Sequence, residues 1–103
     1  MSRMQRIEEL LRQELIPDHL VIKDESYMHN VPVNAESHCK LIAVSEKFNN
    51  LSLVARHQII YNLLQQELQQ GLHALSLHLY APHEWTQAII PNSPACRNKI
   101  NRE

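Results

Sequence analysis

Glycine is almost absent from this chain: one residue in 103, Gly71. That scarcity excludes glycine-rich phosphate loops, which need several positions where backbone can approach a ligand without a Cβ. Cysteine is scarce too. Cys39 and Cys96 lie far apart and form no CxxC pair, a usage that fits a reduced, cytoplasmic setting best while leaving a disulfide open. No apolar run is long enough to cross a membrane, and the N-terminus is charged and helical in pattern, unlike a signal peptide. Excess charge of one sign is also missing. Ten Lys and Arg against eleven Asp and Glu leave a net charge of −1, so there is no global basic footprint for nucleic acid. HExxH and zinc-finger spacings do not occur, which argues against a self-contained zinc site. Nothing repeats internally.

What is present is ordinary globular material. A length of 103 residues suits one domain with a single modest core, and 44% apolar and 20% charged residues match that class. Ser2 followed by Met4, Ile7, Leu10, Leu11 and Leu15 predicts a helix that Pro17 ends. "HLVIKDES" favours a strand through its β-branched residues, and "YMHNVPVNAE" a loop through its Asn and Pro. "SHCKLIAVS" predicts a second strand, with Cys39, Leu41 and Ala43 on one face and His38, Lys40, Ile42 and Val44 on the other. "EKFNN" reads as a connector. Ser52 is placed to cap a long helix through about Gln70, with Leu53, Ile60, Leu64 and Leu68 as its apolar seam and Gly71 as its C-cap.

"GLHALSLHLY" predicts the third strand, and Pro82 opens a short helix, "PHEWTQA". Residues 91–103 hold two prolines and few large apolar groups, and are expected to form a flexible tail after a domain spanning residues 1–90. The order helix, strand, strand, helix, strand, helix predicts a small α+β sandwich, αββαβα, with helices on one face of a three-stranded sheet.

Seven histidines are many for this length. Alternation along the third strand puts His73 at the head of a row with Leu75, Leu77 and Leu79. An ionisable ring there is either a core-margin histidine with one nitrogen hydrogen-bonded or a metal ligand, and the strand alone favours the first. His29 falls in the loop between the first two strands, and His38 begins the second. His57 is expected to be half-buried on the long helix, Arg56 beside it to be a solvated or carboxylate-paired cation, and His78 and His83 to lie at the surface. Cys39 has apolar neighbours on its face and reads as an inert core thiol. No third group orients a Cys–His pair, and the acids of "DES" are explained as solvated residues at a strand end. No catalytic arrangement emerges.

Taken in order, "DESYMHNVP", "ESHCKLIAVS", "RHQIIY", "HALSLHLY", "EW" and "SPACR" make the chain resemble the BolA family. The likeness covers nearly the whole chain, and the ordered set of motifs carries it. It implies a class II KH-like fold and a non-enzymatic role as partner of a monothiol glutaredoxin. In such heterodimers a [2Fe-2S] cluster is shared, with a glutaredoxin cysteine and a glutathione thiolate on one side; the isolated chain holds none. The family's "HA" histidine corresponds to His73 and the histidine of its "HxVP" motif to His29, while His38 and Cys39 are weaker candidates for the second ligand. Imidazoles can replace thiolates on one iron of such a cluster. Weak self-association is compatible with the likeness. A second implied activity is DNA binding in transcriptional control of stress response and cell shape. The KH clamp on nucleic acid uses a GxxG loop, which a chain with one glycine lacks. A local patch of Lys47, Arg56, Arg97, Lys99 and Arg102 is what remains for that role.

Overall fold

In the computed structural model, which describes residues 2–26 and 36–88, the chain begins with helix α1 (Arg3–Leu15). Its start is a capping box: Ser2 Oγ accepts the Gln5 N–H, and Gln5 Oε1 accepts the Ser2 N–H. It ends at Ile16, which takes a left-handed conformation (φ 44°) just before Pro17. Strands β1 (His19–Asp24), β2 (His38–Val44) and β3 (Ala74–Tyr80) form one sheet in the order β1-β2-β3. β1 and β2 are antiparallel. β2 and β3 are parallel, a pairing that needs the long helical crossover between them.

Helices and sheet meet over one core. Ile7, Leu11 and Leu15 from α1 pack with Cys39, Leu41 and Ala43 from β2, Leu79 from β3, and Phe48, all of them buried. Each large side chain hidden in this way contributes about 1.5–3 kcal/mol. Phe48 comes from a short 3-10 turn (Glu46–Phe48) in the expected connector. The αββαβα order and the inward face of β2 are those the sequence predicts. The last helix, α4 (Pro82–Ala88), reaches round the sheet's end: Trp85 stacks on His19 at 5.1 Å and lies 5.3 Å from Tyr80. Those two residues flank Val44 on the face away from the core, so Trp85 covers that end of the open face.

Several expectations need correction. The long helix is two: α2 (Leu53–Leu63) and α3 (Gln65–Gln69), interrupted where Leu64 adopts φ −100° and ψ 14°. Ser52 does cap α2, but Leu53 is exposed; Ile60 and Leu64 anchor the seam, and Leu68 packs against it. The third strand starts at Ala74, not Gly71. Leu72 turns into the core and His73 is exposed outside the strand, so His73 does not head the leucine row, although Leu75, Leu77 and Leu79 do share the inner side. Gly71 follows the C-cap of α3, which is Gln70, and has φ 120°, beyond the left-handed helical region yet still ground that favours glycine. The segment expected as a tail, residues 91–103, lies outside the described residues.

Candidate functional site

The histidine-bearing corner is built around two serines. β1 finishes at Asp24, whose Oδ1 accepts the Ser26 N–H, and Glu25 N–H donates to the His38 carbonyl. Ser26 is buried, and its Oγ accepts from both Ser37 N–H (2.8 Å) and His38 N–H (3.2 Å). The two ends of the segment that carries His29 are therefore pinned at the start of β2. His29 itself lies outside the described residues.

Ser37 joins this root to β3. Its carbonyl accepts His73 N–H at 2.7 Å and Ala74 N–H at 3.2 Å, and its hydroxyl shares a hydrogen bond with His38 Nδ1 at 2.9 Å. The rings of His38 and His73 consequently stand side by side, their centroids 6.5 Å apart and their planes at 54°. One is half-buried at the head of β2 and the other exposed just before β3. The register agrees, since His38 pairs with Ala74. The exposed imidazole of His73 stands at a solvent-facing corner, where it can meet a metal centre presented by another molecule.

Cys39 is adjacent in sequence but faces the other way. It is 2% exposed within the core cluster. Burial, reinforced by Asp24 and Glu25, pushes its thiol up to about 12. A ligand must be a thiolate, so this sulfur is poorly suited to the task.

Among the proposed phosphate contacts, Arg56 needs correction: it is 4% exposed, and four of its five N–H donors are engaged within the fold. Nε donates to the Leu51 carbonyl and Nη1 to the Leu79 carbonyl, while Nη1 and Nη2 form a fork onto both carboxylate oxygens of Glu84. Glu84 also accepts the Ala81 N–H, and the Arg56 fork holds its carboxyl below the usual range. The expected carboxylate partner is real, but the group is structural: it fastens α4 to α2 and β3. Lys47 is exposed. Arg97, Lys99 and Arg102 lie outside the described residues. His57 is half-buried, and His78 and His83 are exposed, as expected.

The roles of Ser26 and Ser37 were not visible in the sequence, because nothing in the residues around either serine marks it as a junction between segments. Among the described residues, no group of three or more His, Cys, Asp or Glu could hold a metal ion.

Comparison with known proteins adds an independent line. The family model described as BolA-like protein matches residues 11–84. The chain is 43% identical over 98 residues to the DNA-binding transcriptional regulator BolA of Haemophilus influenzae, covering 93% of this chain and 95% of that protein. It is 45% identical over 95 residues to the regulator of the same name from Escherichia coli K12, covering 90% of each. Among solved structures it is similar to the BolA domain of SufE1 from Arabidopsis thaliana, with a TM-score of 0.77 and 48% identity over 82% of this chain and 96% of that one.

Proposed function

The chain belongs to the BolA-like family, and from that premise we propose that it is a non-enzymatic, cytoplasmic partner of a monothiol glutaredoxin, with which it shares a [2Fe-2S] cluster in iron–sulfur trafficking or iron and redox sensing. The cluster is cargo held between two proteins. A glutaredoxin cysteine and a glutathione thiolate serve one side; His73 and His29 of this chain serve the other. The observation that carries this reading is the exposed imidazole corner at His73, set at the root of the segment bearing His29. Its donor chemistry fits a shared cluster: nitrogens suffice on one iron, while a full set of four ligands is more than this corner offers.

His38 is the neighbour in this assignment. Two imidazoles on one tetrahedral iron bring their centroids to about 5 Å, less than the 6.5 Å between His38 and His73. The backbone of His38 is fixed by β2 and its Nδ1 is engaged by Ser37.

The test is anaerobic co-purification with a monothiol glutaredoxin, glutathione and iron, followed by visible spectra and electron paramagnetic resonance of the reduced cluster. The isolated chain should be colourless and the heterodimer coloured. His73→Ala and His29→Ala should lose the nitrogen-ligand signature; His38→Ala and Cys39→Ser should keep it. Stoichiometric iron and sulfide in the isolated chain would sink the shared-cluster reading, and loss of the signature in His38→Ala with His29→Ala unchanged would move the site onto β2.

The names of the bacterial relatives favour a second reading, DNA binding in transcriptional control. Lys47 and the basic residues Arg97, Lys99 and Arg102 are its candidate contacts, without Arg56. Affinity would then fall steeply with salt, and Lys47→Ala or Lys99→Ala would flatten that slope. Sequence-specific binding that survives physiological salt, together with no glutaredoxin complex, would reverse the ranking.

A further inference from the structure

The two backbone limbs that present His38 and His73 are joined by a residue remote from both in sequence. Arg3, in the first turn of α1, donates from Nη1 to the Glu36 carbonyl at 2.9 Å and from Nη2 to the Gln70 carbonyl at 2.6 Å. Glu36 stands two residues before His38, and Gln70 three before His73. The guanidinium thus spans the two limbs just upstream of the point where Ser37 ties them again.

Both limbs carry unusual backbone at this contact. Glu36 is left-handed (φ 48°), and its carboxylate reaches back to the Met4 N–H at 2.8 Å. Gly71 has φ 120°, and a Cβ there would come within 3.0 Å of Arg3 Nη2. The chain's single glycine is placed where the guanidinium lies against backbone. Glu67 steadies the fork from the third side, accepting Arg3 Nε at 3.1 Å while pairing also with Arg6 at 2.7 Å.

We propose that Arg3 is a positioning residue for the imidazole corner: its planar fork holds the His73 limb against Glu36, where the segment bearing His29 rejoins the sheet, and so sets the geometry offered to an incoming metal centre. The clamp itself rests on hydrogen bonds; its consequence for cluster sharing rests on the function proposed above. Lysine cannot substitute, because one ammonium lacks the two-pronged, planar donor array that reaches both carbonyls and Glu67 at once.

Native-state amide exchange on the full-length protein, without iron, tests the clamp. In Arg3→Gln, the His73 and Ala74 amides, which donate to Ser37, should exchange about tenfold faster, the change expected on losing one charge-assisted hydrogen bond. Amides of Leu41 and Leu77 in the middle of the sheet should keep their rates. Arg3→Lys should recover only part of the protection. Glu67→Gln, which retains an acceptor for Arg3, should leave the His73 and Ala74 rates near wild type. In the glutaredoxin heterodimer, Arg3→Gln should also alter the nitrogen signature of the reduced cluster.

Unchanged protection at His73 and Ala74 in Arg3→Gln would overturn the proposal, and so would uniform acceleration across the sheet, the mark of global destabilisation alone. The corner-specific pattern, if the wild type never assembles a cluster with glutaredoxin, would uphold the clamp and sink the glutaredoxin reading. A cluster that forms normally beside unchanged exchange would do the opposite.

Discussion

Replacing Arg56 with lysine keeps the positive charge and removes the fork, which separates a structural role from a phosphate contact. Arg56 makes four hydrogen bonds, two to the carbonyls of Leu51 and Leu79 and two to Glu84. Its guanidinium also lies 6.0 Å from the Phe48 ring centroid. A lysine ammonium can hold the carboxylate and at most one carbonyl from this position. At least one acceptor in a site only 4% exposed then goes without its donor, at about 1–3 kcal/mol. Glu84 is 36% exposed and can recruit water, so its share is discounted. The expected loss is about 2 kcal/mol, or roughly 8–16 °C in melting temperature for a domain of this size. Urea unfolding followed by circular dichroism should show the midpoint falling by about 1 M at unchanged slope. A variant within about 0.5 kcal/mol of wild type that nevertheless binds DNA less tightly would refute the reasoning and put the guanidinium back on the surface.

Other outcomes follow from the same contacts. The folded-state carboxyl of Glu84 is held down by Arg56, so its stabilising contribution is complete above the ordinary glutamate value of about 4.3 and is lost as pH falls through the lower folded value. The stability gap between wild type and Glu84→Gln should therefore be full near neutral pH and close in acid; a gap that persists at about pH 2 would contradict it. Cys39, in a Cys96→Ser background, should resist a thiol reagent in the native protein at mildly alkaline pH and react fully on unfolding. Labelling at the speed of a free thiol would place the sulfur outside the core. Phe48→Ala, removing a side chain with no exposure, should cost about 3–5 kcal/mol in chemical denaturation. Gly71→Ala should cost about 1–2 kcal/mol from its positive φ and should also speed exchange at His73, since the new methyl displaces Arg3.

Order and facing of the elements were legible in the sequence because they depend on local rules. Ser2 and Ser52 announce their helices by capping chemistry, Pro17 and Pro82 mark an end and a beginning, and strict alternation in "HCKLIAV" identifies which side of β2 is buried. Cys39 could be assigned to the core on that pattern alone. The break at Leu64 was not legible, because leucine is a good helix former and the pattern of Ile60, Leu64 and Leu68 continues across the interruption.

Other features were decided only when distant segments met. The exposure of His73 follows from Leu72 taking the core position and from Ser37, thirty-six residues earlier, holding the His73 and Ala74 amides. Arg56 looks like any helix-surface cation until the Leu51 and Leu79 carbonyls and Glu84 close around it. The same holds for Arg3, whose partners at Glu36, Glu67 and Gln70 are scattered along the chain. Composition, capping and periodicity act over a few residues, so the sequence by itself determined the order of the elements, the inward face of β2 and the family motifs with their candidate histidines. Which polar groups are buried, which imidazoles become neighbours and which arginines are structural depends on burial and hydrogen-bond satisfaction across long loops, and only the tertiary structure decided those.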